Sequence, residues 1–164
     1  MIPQDIQTRL SDLCKRHDNA RLYALVDGIQ YEREIGERLN ATNTGITALF
    51  AGTEDEPLAH AGPWLVEVLT DECAATTARL EASRPSVVWL VCTDDAPTLA
   101  GKLRERLNAV QPDGQEVLLR YWDPRVLHGL AASLKGDASA QFFGAALEWF
   151  YLFNGERFYL KSNV

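Results

Sequence analysis

The chain has 164 residues, 46% of them apolar and 24% charged, with a formal net charge of −7. That is enough apolar sequence for one ordinary globular domain with a real core, and it excludes a disordered or fibrous chain. An acidic protein repels phosphate backbones and anionic lipid, so nucleic acid and membrane insertion are not expected.

No basic stretch followed by an apolar one opens the sequence, and no 18 apolar residues run together, so no leader or membrane span is predicted. Cys14, Cys73 and Cys92 are far apart and never in a C-x-x-C pair, which reads as reduced, buried thiols in a cytosolic protein.

Taken in chain order, Ile6, Leu10, Leu13 and His17 recur at helical spacing and predict an amphipathic helix beginning near Pro3. Leu22 to Val26, closed by Asp27-Gly28, predicts a buried strand, and Ile35 and Leu39 a helix through about Asn40. Ile46 to Phe50 predicts a second strand, followed by the acidic, glycine-rich loop Gly52 to Glu56. Trp64 to Leu69 predicts a third strand, and Glu72 to Ser83 a helix. Val87 to Cys92 is apolar at every position, as expected of a strand covered on both faces. Leu99, Leu103, Leu107 and Val110 extend one helix as far as the turn Pro112-Asp113-Gly114. Val117 to Trp122 predicts the next strand, and Asp123-Pro124 opens a helix carrying Val126, Leu127, Leu130 and Leu134. A short helix from Ala138 is expected to stop at Gly144.

Leu147 to Phe153, then Asn154-Gly155, then Glu156 to Leu160 is a hairpin signature, because both turn residues tolerate positive φ. A two-residue loop sets Tyr151 opposite Phe158 and Trp149 opposite Leu160. One face then carries Trp149, Tyr151, Phe153 and Phe158, the other Phe150, Leu152 and Tyr159. The sum is a single α/β domain over 1–164, with a central mixed, partly parallel sheet of about five strands. Helices cover both faces and an aromatic hairpin ends the chain.

Chemistry is sparse. There is no nucleophile elbow, no H-E-x-x-H, no phosphate-binding glycine loop, and no His–Cys pairing at metal-ligand spacing. No catalytic residue, metal or cofactor is therefore expected. One enzyme-like pattern remains. Asp27, Asp71-Glu72 and Asp94-Asp95 each follow a strand, where open α/β sheets place ligands. Together they could hold Mg²⁺ against a phosphate in a regulatory or phosphate-handling enzyme. The simpler expectation is that each complements the first turn of the following helix.

Four segments carry a resemblance: Leu22 to Gly28; Pro63 followed by Trp64-Leu65-Val66-Glu67; Arg120-Tyr121-Trp122-Asp123-Pro124-Arg125-Val126-Leu127; and Phe142-Phe143-Gly144. In this order and spacing they resemble the adaptor, or effector-chaperone, family of the bacterial type VI secretion system, over about residues 22–153. The resemblance implies a non-enzymatic cytoplasmic adaptor. It would bind a toxic effector and help load it onto the valine-glycine-repeat spike protein (VgrG).

Within the third segment, Asp123 fits a helix N-cap and Pro124 the first helical position. Arg120 and Arg125 flank that junction and are expected to pair with carboxylates such as Asp27 or Asp94. Arg125 and the aromatic face Trp149, Tyr151, Phe153 and Phe158 are the candidate partner-binding residues. A hairpin apolar on both faces must bury both or offer one to a partner, and its edge leaves backbone groups that a partner strand can take up.

Overall fold

In the computed structural model, which describes residues 1–162, the apolar run Val87–Cys92 lies near the middle of a six-stranded sheet. The chain enters through helix α1 (Gln4–Arg16) and strand β1 (Arg21–Asp27). Helix α2 (Gly28–Ile35) and strand β2 (Ile46–Ala48) follow, then a short 3₁₀ helix (Glu56–Ala61), β3 (Pro63–Glu67), α3 (Asp71–Ser83) and β4 (Val87–Cys92). Next come α4 (Ala96–Arg104) and a two-stranded ribbon of β5 (Asn108–Val110) and β6 (Glu116–Leu118). Helices α5 (Pro124–Ser133) and α6 (Gly136–Phe143) precede the hairpin β7 (Glu148–Phe153) and β8 (Glu156–Lys161).

The α/β class, the two helical layers and the terminal hairpin are as expected. The direction of the strands is not. The sheet order is β2-β3-β1-β4-β7-β8, and every described pairing is antiparallel. From those pairings β1 and β2 point the same way, as do β3 and β4, so α2 and α3 do link parallel strands. One strand is interleaved between the members of each pair, however, so no parallel neighbours result. A fully apolar strand reports burial on both faces and says nothing about the direction of its neighbours.

Alternation along the strands divides the core into two layers. Leu22, Ala24 and Val26 of β1, with Trp89 of β4 and Phe150 of β7, face α1 and α3 and pack with Ile6, Leu13 and Leu80. Tyr23 and Leu25, with Leu90, Trp149 and Tyr151, face the other way against Leu99, Leu103, Leu127 and Phe143 of α4, α5 and α6.

Four local expectations are corrected. Of the three cysteines only Cys92 is buried; Cys14, on α1, is exposed and Cys73 is half-buried. The helix expected through Asn40 ends at Ile35, because Gly36 takes a left-handed conformation (φ 89°) at its C-cap. Val110 lies in the ribbon and is 72% exposed, since α4 has already ended at Arg104. Val117 to Trp122 is not a strand of the central sheet: β6 belongs to the ribbon, and Tyr121 and Trp122 drop into the core. No helix among the described residues is long and apolar enough to cross a membrane.

Candidate functional site

The antiparallel order decides what the carboxylates after the strands can do. Asp27 ends β1 opposite Pro63, at one end of the sheet. Asp71 and Asp94 follow β3 and β4, whose last residues lie beside Tyr23 and Arg21, at the other end. A parallel sheet would have gathered these acids on one rim; this one disperses them.

Each has a local role. Asp27 Oδ1 accepts a hydrogen bond from Gln30 N at 3.1 Å and caps α2, and Asp95 Oδ1 accepts from Thr98 N at 3.0 Å and caps α4. Hydrogen bonding from Thr98 holds the Asp95 carboxyl below its ordinary value. Asp71 and Glu72 occupy the first turn of α3, which Thr70 caps, and Asp94 pairs with Lys102 at 2.5 Å. No group of three or more His, Cys, Asp or Glu positioned to hold a metal occurs among the described residues.

At the Asp27 end three of the four signature segments meet; the fourth, Phe142-Phe143-Gly144, lies toward the opposite end, where Gly144 lines a pocket with Cys92 and Asp94. Gly28 N donates to Gly62 O at 2.9 Å, and Trp64 Nε1 donates to His60 O at 3.4 Å, closing the loop before β3 over the start of α2. The Phe50 ring lies against Gly62 and edge-on to Trp122, with centroids 5.8 Å apart at 84°. Trp122 is 2% exposed and leads directly into Asp123-Pro124. Residues far apart in sequence thus form one apolar support beneath the start of α5.

Asp123 caps α5 as its sequence suggests: Oδ1 accepts from Arg125 N at 2.9 Å, and Pro124 needs no partner at the first helical position. Asp123→Ala is therefore expected to cost about 0.5–2 kcal/mol, read as a lower urea midpoint with an unchanged slope. An unchanged midpoint would remove the cap from the account.

The two arginines do not reach Asp27 or Asp94. Arg125 turns back onto its own cap, with Nε 3.1 Å from Asp123 Oδ1 and Nη2 2.8 Å from Oδ2. This hydrogen bonding raises the proton affinity of Arg125, with smaller contributions from the charges of Asp123 and Asp27. Arg120 is exposed, its guanidinium 6.0 Å from the centroid of the Trp122 ring. The shortest solution, a residue pairing two positions along its own chain, is the one adopted.

Beside Arg125 a groove of about 320 Å³ runs between the end of α3 and the hairpin turn, lined among others by Arg84, Pro85, Arg125, Phe153, Asn154 and Gly155. It joins the signature arginine to the hairpin. Arg84 and Pro85 were not singled out from sequence, because nothing local marks a residue after a helix as the wall of a groove. Arg84 reaches Gln30 Oε1 at 3.3 Å and Glu34 Oε2 at 3.2 Å, tying α2 to this wall.

The hairpin has the expected register, Tyr151 opposite Phe158 and Trp149 opposite Leu160, with Asn154 and Gly155 at φ 50° and 78°. Both of its faces are covered. Trp149 (0% exposed) donates from Nε1 to Phe143 O at 2.9 Å, and Tyr151 (1%) meets His128 Nδ1 at 3.1 Å. Neither side chain presents a surface to a partner. Phe153, stacked on His128 at 3.9 Å, and Phe158, stacked on Tyr151 at 5.5 Å, are half-buried. On the opposite face Phe150 is buried under α1 and α3, and Tyr159 remains 42% exposed.

Among known proteins, no curated protein and no solved structure matches the chain. A family model described as a domain of unknown function (DUF4123) matches residues 22–141, from the second residue of β1 into α6. The matched region holds Asp27-Gly28, Trp64 and Asp123–Arg125, and leaves α1 and the hairpin outside. With most of its length matched, and with three of the signature segments meeting at one end of the sheet, the chain belongs to the DUF4123 family.

Proposed function

We propose that this protein is a cytoplasmic, non-enzymatic adaptor that binds a type VI secretion effector and helps load it onto the VgrG spike protein. Its family is generally linked to type VI effector loading. The observation that carries the reading is the meeting of separate family segments under Arg125, beside a groove that the hairpin completes. Such an arrangement builds a rigid support for an exposed recognition surface. Dispersal of the post-strand carboxylates to opposite ends of the sheet favours this role over phosphate chemistry.

The test takes its candidate effector from the genes neighbouring this chain's own, a toxin gene being the one to choose. Co-expressed with this protein, the effector is expected to co-elute with it in size exclusion, and deletion of this gene to stop secretion of that effector alone. Normal secretion from the deletion strain would overturn the proposal.

A further inference from the structure

The two edges of the sheet are built differently. At one edge β2 has three residues; at the other β8 has six, without proline, and no described strand lies beyond it. Its central residues Phe158, Tyr159 and Leu160 carry no charge, which is the kind of edge that natural proteins usually shield.

The geometry of the turn shows which backbone groups are open. In a two-residue hairpin the residues flanking the turn exchange both hydrogen bonds, and such pairs then alternate along the ladder. Ser162 N donating to Leu147 O at 3.0 Å keeps the same phase at the far end. The N–H and C=O groups of Glu156, Phe158 and Leu160 therefore point to β7, and those of Arg157, Tyr159 and Lys161 point away from it. A row of donors and acceptors at strand spacing is matched by another extended polypeptide.

We infer that the β8 edge accepts an extended strand of the effector, aligned by the backbone of Arg157, Tyr159 and Lys161. This rests on the adaptor reading above. Charge selects the occupant. Glu156 and Lys161 close the two ends of β8 with opposite signs, and among the described residues neither is in an ion pair. The incoming strand is one with a cation opposite Glu156 and a carboxylate opposite Lys161.

A second copy of this chain does not meet that requirement. Directly opposed side chains in an antiparallel pair share a face, whereas Glu156 and Lys161, five residues apart, lie on opposite faces. Two-fold pairing centred on Phe158 sets Glu156 against Leu160, and pairing centred on Tyr159 sets Lys161 against Arg157, whose guanidinium is already held by Glu81 and Asp5, so neither register gives Glu156 or Lys161 an opposite charge.

The test removes an outward N–H without touching the ladder to β7. Tyr159→Pro does this, since proline is tolerated on an edge strand where its nitrogen faces solvent. Tyr159→Ala keeps the N–H and controls for the side chain. With that same candidate effector as probe, and folding checked by circular dichroism, Tyr159→Pro is expected to weaken binding by about tenfold or more. Tyr159→Ala is expected to lose clearly less. Independently of any variant, the amides of Arg157, Tyr159 and Lys161 in the parent protein should exchange slowly only in the complex.

If the parent binds this effector while those amides stay unprotected, or while folded Tyr159→Pro binds as well as the parent, the edge inference falls and the adaptor reading stands. Failure of the parent to bind that effector overturns both. Concentration-dependent dimerisation of the parent, abolished by Tyr159→Pro, would assign the edge to a second copy and overturn the choice of occupant.

Discussion

Arg157→Ala is expected to destabilise the fold by about 3–5 kcal/mol, the range for removing one member of a buried ion pair. The Arg157 side chain is 11% exposed and that of Glu81 5%. Nη1 and Nη2 donate to the two Glu81 oxygens at 2.7 and 2.8 Å, and Nε donates to Asp5 Oδ2 at 2.8 Å. Burial works against the guanidinium charge, but the hydrogen bonds and charges of Glu81 and Asp5 outweigh it and raise the proton affinity of Arg157. Alanine would leave the Glu81 carboxylate in the core with only Trp89 Nε1, at 2.7 Å, to solvate it. With Arg9, which pairs with the buried Glu148, this network holds α1 and α3 to the hairpin.

Urea unfolding of Arg157→Ala measures the loss. A double variant, Glu81→Gln with Arg157→Met, keeps an acceptor for Trp89 and removes the stranded charge, so it should regain more than half of that loss. A loss under about 1 kcal/mol in the single variant would mean that water screens the pair as it does at a surface.

Gly28→Ala should also destabilise, by about 1–3 kcal/mol, the usual cost of overpacking. A Cβ at Gly28 would sit 2.2 Å from His60 O, with Gly62 O and Trp64 Nε1 each at 2.9 Å. Two of the three are backbone carbonyls, which do not swing aside as the end of a side chain does. The methyl group would push the loop before β3 away from α2 and loosen the support under Trp122 and Arg125. Gly129, within α5, has no atom within 4 Å of its would-be Cβ beyond its chain neighbours and the helix's own backbone. Gly129→Ala is therefore expected to be stabilising, by about 1 kcal/mol at most. Thermal melts of the two variants should move in opposite directions; movement in the same direction would show that space around Gly28 is not the cause.

What could be read without the fold was local. Asn154-Gly155 set the hairpin and its register because two adjacent positive φ values admit few other residues. Asp123-Pro124 marked a helix start because a carboxylate acceptor and a missing N–H both suit that position. The apolar runs of β1 and β4 marked two-sided burial. The apolar spacing of Ile35 and Leu39 misled, because Gly36 between them takes the left-handed conformation that ends the helix.

The tertiary structure decided the rest, wherever the outcome depends on which segments become neighbours. Interleaving of the parallel pairs turned the sheet antiparallel and sent Asp27 and Asp94 to opposite ends, which removed the acidic rim that a parallel sheet would have built. Arg125 found Asp123 two residues away, where the sequence pointed to carboxylates such as Asp27 or Asp94. Of the aromatic hairpin, composition showed that two apolar faces needed cover, but α5 and α6 took one and α1 and α3 the other. That left Trp149 and Tyr151 inside, Phe153 and Phe158 half-buried, and the backbone edge of β8, with Tyr159, outside. The ion pairs of Arg9 with Glu148 and of Asp5 with Arg157 span 139 and 152 residues, and contacts at such separation leave no periodicity or local motif to read.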